Sequence, residues 1–435
     1  MKTDSRGFSM KMFSILFILI CVFWFVNFPP LLAKSTGITE FDNYKIITIN
    51  NTQVTIDMVN FPLFISIVDS DLFNCQYDGD DITFWNSENT IQYNHEVERF
   101  NKSTGELSAW VQIPFLSSSV DTSFRVYYGN PSAVNSEHEE TVWNEYAAVY
   151  HLSILNDSAK SNDLTKVGSV LENISGKFAS AQEFDGYGND FLFTNTNFQI
   201  NTSFTVSCWI KIEDTDVDQT FTTLPHSLTG VAQRLMLNWD NNSVLARNYN
   251  LSALGVNTVS ESVINDGSWH YLVHTYDNNT NKLFIDGVLE GSSSHSGIVR
   301  CEYGKFFIGR EGDYTHSSWQ ETVVDGLIDE VRVSSVPLTA EQIAIEWNNY
   351  NNPSTFYHFS EEYLVHKTTS TTEISTDTTT DSSTTTTIQN TTVTNTKFTT
   401  TSSTRISSTT KTSTFNFLIV FPVILFLRRK HNSNK

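Results

Sequence analysis

Between Trp269 and Ile285 the chain reads WHYLVHTYDNNTNKLFI, and its side chains alternate with a period of two. Tyr271, Val273 and Thr275 fall on one face, and Leu272, His274 and Tyr276 on the other. A helix would scatter these residues around its circumference, so the period commits the segment to a strand. Bulk on both faces predicts that both are at least partly covered. Asp277-Asn-Asn-Thr-Asn281 is a turn-forming cluster, after which Leu283 and Ile285 resume the alternation. Asp266-Gly267 and Asp286-Gly287 bracket the stretch, glycine accepting the positive φ of a tight hairpin. The segment reads as an antiparallel meander in a β-sandwich, with its turns in solvent.

The same bias runs from about residue 38 to about 360, a length that suits two domains. Phe, Tyr, Ile, Val and Thr are abundant there, and they suit pleated, half-buried surfaces. Helical periodicity is confined to Leu338–Tyr350. Thr339 and Gln342 form a capping-box pattern, and Ile343, Trp347 and Tyr350 share a face, so a short helix should pack on a sheet edge.

Both ends differ from this body. Lys2, Arg6 and Lys11 precede an apolar run from Met12 to Phe28, Pro29-Pro30 stop any helix, and a small residue follows at Ala33. Residues 1–34 are expected to be a secretory signal, with an uncleaved anchor as the alternative. From Thr368 to Thr414, 33 of 47 residues are Ser or Thr. Such a segment has too little apolar surface to offset its ordering entropy, so 361–414 is expected to be a disordered, O-glycosylated stalk. Extended, it would reach on the order of 150 Å. FNFLIVFPVILFL at 415–427, followed by Arg428-Arg429-Lys430, makes 415–435 a short membrane anchor or a sorting tail. As a helix the run spans only about 20 Å, against a hydrocarbon core of about 30 Å. The basic cluster should stay inside and the body outside.

The formal net charge is −21. That argues against nucleic acid as a partner and against an anionic lipid surface. Asn-x-Ser/Thr acceptors such as Asn101, Asn156, Asn173 and Asn278 suit a secreted surface. Cys75, Cys208 and Cys301 follow the signal, too few for a disulfide scaffold or a zinc cluster. Cys208 alternates with Val206 and Ile210, so a buried thiol is expected, a Cys208–Cys301 bridge being the other possibility.

The order FDG (184–186), FTVSCWIKI (204–212), DGSWHYLVHTYD (266–277), KLFIDGVLEG (282–291), FFIGR (306–310) and GLIDEVRVSSVPLTAEQIAIEW (326–347) resembles the laminin-G-like, concanavalin A-like jelly roll of prokaryotic surface proteins. The resemblance covers about 143–360. Upstream, NFPLFISI (60–67), GDDITFWN (79–86), LSAWVQIP (107–114) and FRVYYGNPSA (124–133) resemble a small β domain of unknown function that often precedes such jelly rolls. The expected fold class is therefore all-β: a small β-sandwich domain at 38–133, then a concanavalin A-like jelly roll at 143–360, with the stalk and the hydrophobic segment behind them.

The resemblance implies binding of glycans or proteins, often with calcium. Sugar sites need aromatic faces and amide or carboxylate partners. Tyr314, His316 and Trp319 in a polar stretch, and Trp239 with Asn241, are the ligand-binding candidates. Trp209 and Trp269 sit in strand patterns and are assigned to the core. Calcium takes six to eight hard oxygens. First and last strands of a jelly roll usually pair, which would bring Asp157 and Asp163 near Asp329, with Asp185 and Asp190 lining the same end.

Catalysis is the competing class. Glycosidases of this fold place two acids on one face of a strand, whereas Asp329 and Glu330 are adjacent and should point to opposite faces. Glu213-Asp-Thr-Asp216-Val-Asp218 is spaced suitably but reads as a turn. No Gly-x-Ser-x-Gly elbow, His-Glu-x-x-His helix or phosphate loop occurs. The expected function is recognition or adhesion at the cell surface without catalysis, toward an extracellular glycan or surface protein. A structural component of the envelope is the alternative.

Overall fold

Strands with apolar residues on both faces must be covered on both sides, and this chain covers them mainly by stacking sheets four deep. The computed structural model describes residues 37–365, apart from 187–189, 198–202, 214–216, 225–231, 239–241, 250–254, 298, 300–303 and 312–321. These residues belong to one compact unit, Met1–Thr385. The expected signal, nearly all of the expected stalk and the hydrophobic tail lie outside the described residues.

The first sheet orders Tyr357–Phe359, Asn43–Ile49, Thr122–Tyr128 and Thr83–Asn86, with Tyr363–Leu364 also paired to Asn43–Ile49. The second orders Met58–Val68, Glu106–Leu116 and His95–Asn101. The third has eight strands, in the order Val288–Ser294, Thr280–Ile285, Trp269–Tyr276, Phe204–Ile212, Asp325–Ser334, Ser180–Asp185 and Leu171–Ser175, with Tyr146–Tyr150 also paired to Asp325–Ser334. The fourth has seven, in the order Gly255–Val259, Ser243–Tyr249, Gln233–Asn238, Gln219–Leu224, Phe307–Ile308, Phe191–Thr194 and Leu164–Val167. The third and fourth sheets form the jelly roll.

Apolar clusters fill the gaps in order. Ile47, Phe84 and Phe124 meet Leu63, Ala109 and Val111 between the first two sheets. On the reverse face of the second sheet, Phe64 and Trp110 meet Trp209, Tyr271, Val273 and Phe284 of the third. Cys208, Leu272 and Leu283 then face Leu235, Leu237 and Ala246 across the jelly-roll core. The alternation at 271–276 is thereby explained, since Tyr271 and Val273 face the small domain while Leu272 and Tyr276 face the jelly-roll core. Sheets stack about 10 Å apart, so the first and fourth are about 30 Å apart.

The helix Ala340–Asn351 starts with the expected capping box at Thr339 and Gln342. Ile343 and Tyr350 enter the middle gap, and Ile345 enters the small-domain core. The chain then returns to the first sheet, where Ile49 pairs with Tyr357 and Asn43 with Leu364. Residues 357–364 therefore complete the N-terminal sheet from beyond the jelly roll, and the fold continues past 360 to Val365. In space the jelly roll is an insertion into the small domain.

The outer edge of Met58–Val68 is closed by side chains rather than by a strand. Asn349 accepts from Phe64 N–H at 2.8 Å and donates to Phe64 C=O at 3.0 Å. The Tyr357 hydroxyl accepts from Ser66 N–H at 2.7 Å. An open edge is thus satisfied without offering a template to another chain. Asn349→Leu keeps the volume but strands two buried backbone groups, so urea unfolding should show a loss of about 2–3 kcal/mol. A loss below about 0.5 kcal/mol would show that water replaces the amide.

Candidate functional site

The middle gap carries an unusual load of ionisable groups. His151 follows the strand Tyr146–Tyr150, and its Nδ1 donates to Glu330 Oε1 at 2.6 Å. Its Nε2 donates to Glu96 Oε2 of the small domain at 3.1 Å. Arg332 donates to Glu330 Oε2 at 2.5 Å and to the Tyr350 hydroxyl at 2.6 Å. Its guanidinium lies 4.2 Å from the ring centre of Trp110. Trp143 Nε1 donates to Glu96 and Trp110 Nε1 to Glu98.

Burial alone would lower the His151 pKa, but the Glu330 and Glu96 carboxylates raise it well above the ordinary value. Burial alone would raise Glu96, but the His151 charge beside it holds it near 2. Glu330 is likewise held low by His151 and Arg332 against its burial. Two anions thus meet two cations. The remaining carboxyls only share these cations: burial and then the Glu330 charge, against the pull of His151, push Glu98 up to about 7, burial and Glu330 raise Asp329 well above its ordinary value, and burial outweighs Arg332 in raising Glu346.

Glu98, His151 and Glu330 each offer a ligand atom, all within 4.8 Å of one another. Both ring nitrogens already donate to carboxylates, and Arg332 takes the other Glu330 oxygen. A metal would have to displace the imidazolium proton from a balanced set, so the group reads as an ion-paired seam between domains. One expectation is corrected here. Asp329 and Glu330 do not point to opposite faces, because Glu330 has φ of 50° and the pairing with Phe204–Ile212 slips between Ser207 and Trp209. This bulge turns both carboxyls into the seam, where they are at most 1% exposed. That pair is closed to any polysaccharide.

The first and last jelly-roll strands do pair, Val331 opposite Tyr150. The five candidate aspartates nevertheless fall in three places. Asp157 is buried and accepts from the backbone N–H of Val149, Ala159 and Asn162, and Asp163 accepts from Asp157 N–H. Asp329 accepts from Lys177, Phe178 and Glu330 N–H. Asp185 lies opposite Asp325 in register, and Asp190 sits against Asp185. Asp190 accepts from Ser169 N–H, while its Oδ2 is buried without a hydrogen-bond partner. Burial and the Asp185 carboxyl raise its pKa.

Tyr314, His316, Trp319, Trp239 and Asn241 lie outside the described residues. The residues flanking them lie at the fourth sheet: Arg310 C=O accepts from Thr223, and Thr322 C=O accepts from Thr220 N–H. Trp209 is fully buried and Trp269 half-buried, as core residues. Cys208 is a free, buried thiol, and its possible partner Cys301 lies outside the described residues.

Across the outer face of the fourth sheet one register row runs Thr165, Phe193, Phe307, Thr223, Arg234, Arg247 and Asn257. Its middle, Phe307, Thr223 and Arg234, is buried, and Phe193 and Arg247 on either side of that are half-exposed. Sequence reasoning passed over it, although Arg234 and Arg247 each stand out of phase with the inward residues of their strands. No local signal marks the seam, since Glu96 and Glu330 meet His151 from 55 and 179 residues away.

Glu98 provides a test of the seam. An exposed glutamate takes its proton near 4.3, whereas folded Glu98 does so at about 7. Between those values the folded state binds more protons, so stability falls as pH rises. Glu98→Gln should remove that fall, gaining up to roughly 3 kcal/mol at pH above about 7. Melting from about pH 5 to about pH 8 checks this, and parallel profiles for variant and native chain would refute it. Glu96 acts oppositely: its contribution should be lost as pH falls from about 4.3 toward about 2.

Residues 185–344 match the laminin G family described as the concanavalin A-like lectin/glucanases superfamily, and residues 78–162 match a domain of unknown function, DUF2341. No curated protein matches the chain. Among solved structures, domain 4 of a GH43 extracellular arabinanase from Geobacillus stearothermophilus, in complex with arabinotriose, is 21% identical over 46% of this chain and 97% of its own, with a TM-score of 0.38. The binding domain of Paraclostridial Mosquitocidal Protein 1 is 14% identical over 48% of this chain, with a TM-score of 0.39. The binding domain of botulinum neurotoxin serotype D is 14% identical over 47%, with a TM-score of 0.37. The match spans about half the length of each toxin chain, 52% and 51%. Residues 185–344 are a concanavalin A-like domain of the laminin G type, carried behind a DUF2341 domain.

Proposed function

We propose that this chain is a surface-displayed binding protein that meets a glycan or an envelope protein through the jelly-roll sheet opposite the ends of its folded body. One observation carries the reading. Ile38, Phe41, Tyr363 and Val365 pack in one cluster on the outer face of the first sheet. Val365 N–H also donates to Asp42 C=O at 2.8 Å. Both ends of the described chain therefore leave from the same side. The fourth sheet is the layer farthest from them, about 30 Å away. Neither end of the described chain therefore leaves over that sheet.

The test is cell or glycan binding by the full chain, compared between substitutions on the two end sheets. Arg247→Ser on the fourth sheet should weaken binding, and Thr48→Ala on the first should not. Loss through the first sheet alone would overturn the orientation.

Calcium belongs to this reading at Asp185, Asp190 and Asp325, three carboxyls gathered at one point of the jelly roll. Burial and the Asp185 and Glu213 charges raise Asp325 as well, a repulsion that a bound cation would relieve. Calcium in hundredfold excess over its dissociation constant should stabilise the chain by about 2.7 kcal/mol. Asp190→Asn should abolish the effect. A melting temperature indifferent to chelator would remove calcium from the account.

A further inference from the structure

An open sheet edge is a template for another chain, because its outer row of N–H and C=O groups lacks a partner. This chain closes its edges with its own groups. Asn349 and Tyr357 close Met58–Val68. Beside His95–Asn101, Glu137 accepts from Val97 N–H at 2.6 Å, and His138 N–H donates to His95 C=O at 3.0 Å. On one side of the jelly roll the two edge strands are tied together, the Ser293 hydroxyl donating to Asn257 C=O at 3.2 Å. The strand Leu171–Ser175, at the opposite edge of the third sheet, differs. Among the described residues, none outside that sheet hydrogen-bonds its backbone.

Leu171, Glu172, Asn173 and Ser175 are all exposed, Leu171 by 55%. The pairing with Ser180–Asp185 slips between Ala181 and Glu183, so Glu172 and Asn173 together oppose Gln182. This is a bulge, and a bulge re-aims a side chain. Asn173 stands in it with φ of 59°, a left-handed value that Asn tolerates better than most side chains. Asn173-Ile174-Ser175 is also an N-glycosylation acceptor. The other acceptors among the described residues are less open. Asn50 and Asn101 are half-buried. Ser158 of the Asn156 acceptor donates to Glu96 in the seam at 2.7 Å, and Thr280 of the Asn278 acceptor is half-buried in its turn. Of these acceptors, the one at Asn173 alone exposes both its amide and its hydroxyl residue.

We infer that Asn173 carries an N-linked oligosaccharide, and that this glycan closes the open edge of the third sheet. The co-reactant is a lipid-phosphate-linked sugar. Asn173 Nδ2 attacks its anomeric carbon, and the new C–N bond forms as the C–O bond to the phosphate breaks. The lipid phosphate leaves with that electron pair, and the transferring enzyme takes one amide proton. A bulky, hydrated polymer fixed in the edge strand bars a second strand from pairing there. The inference rests on the reading that the chain is displayed outside the cell, where lipid-linked sugars are transferred.

The test is glycopeptide mass spectrometry, with light scattering in detergent, on the full chain recovered from the cells that make it. The peptide holding Asn173 should carry a sugar mass. Ser175→Ala removes the acceptor but keeps the asparagine that the bulge favours. It should lose that sugar and double the mass of the native particle, and adding Leu171→Lys should restore the native mass by charging the edge. Ser175→Thr should keep both the sugar and the native mass. A bare Asn173 on a chain recovered from the cell surface would overturn the inference and leave surface display standing. A bare chain confined to the cytosol would overturn both. A modified Asn173 whose loss leaves the particle mass unchanged would overturn the closure of the edge.

Discussion

His151 donates from both ring nitrogens, one to each domain, and that doubled contact is what the rest of the architecture leans on. An imidazole can do this only as the cation, and burial opposes the cation. The seam resolves the conflict by placing Glu96 and Glu330 at hydrogen-bond distance and Arg332 behind Glu330. Removing one partner from such a set leaves a charge buried and unanswered, so the seam resists partial opening more than its net contribution to stability would suggest. Trp110 and Trp143 supply the apolar walls and spend their own N–H groups on Glu98 and Glu96. A polar layer enclosed by indoles holds its geometry because few alternative pairings are available.

That rigidity bears on function through distance. Domains joined by small polar contacts move relative to one another by default. Here the second sheet packs its reverse face on the jelly roll, the helix Ala340–Asn351 sends side chains into two gaps, and the chain then returns to pair with Asn43–Ile49. The jelly roll is held at its entry by Tyr146–His151 and at its exit by the helix. A force on the outer sheet is therefore shared between packed layers and the two crossing strands.

The jelly roll was legible because its signals are local. Alternation at 271–276, the Asp-Gly turns and the capping box at Thr339 each need only a few neighbouring residues. The seam was not legible, because its partners lie tens to hundreds of residues apart and their types, Glu, His and Arg, are ordinary surface residues when read singly. The bulge at Glu330 defeated the period-two rule: one residue at positive φ turns two adjacent acids to one side. The return strands Tyr357–Phe359 and Tyr363–Leu364 are too short for any period to show. The aspartates were read as metal ligands from residue type and from the expected pairing of first and last strands, neither of which shows that Asp157 and Asp329 spend oxygens on backbone N–H groups that the loops around them leave unpaired.

The absence of carboxylates from the strands of the fourth sheet follows in part from burial on both of its faces. Its inward positions are apolar because they face the core, and the middle of its outward row, Phe307, Thr223 and Arg234, is buried as well, so a carboxylate there would have to be desolvated. A sheet that keeps Arg234 and Arg247 adjacent in register accepts like-charge repulsion that an alternating pattern would avoid. Glu311 offsets part of it at Arg234. The repulsion left at Arg247 is reduced by Asn257, whose Oδ1 accepts from Nε, and by the Tyr249 ring beneath the guanidinium. Those contacts fix the direction of the guanidinium beside the edge strand Gly255–Val259.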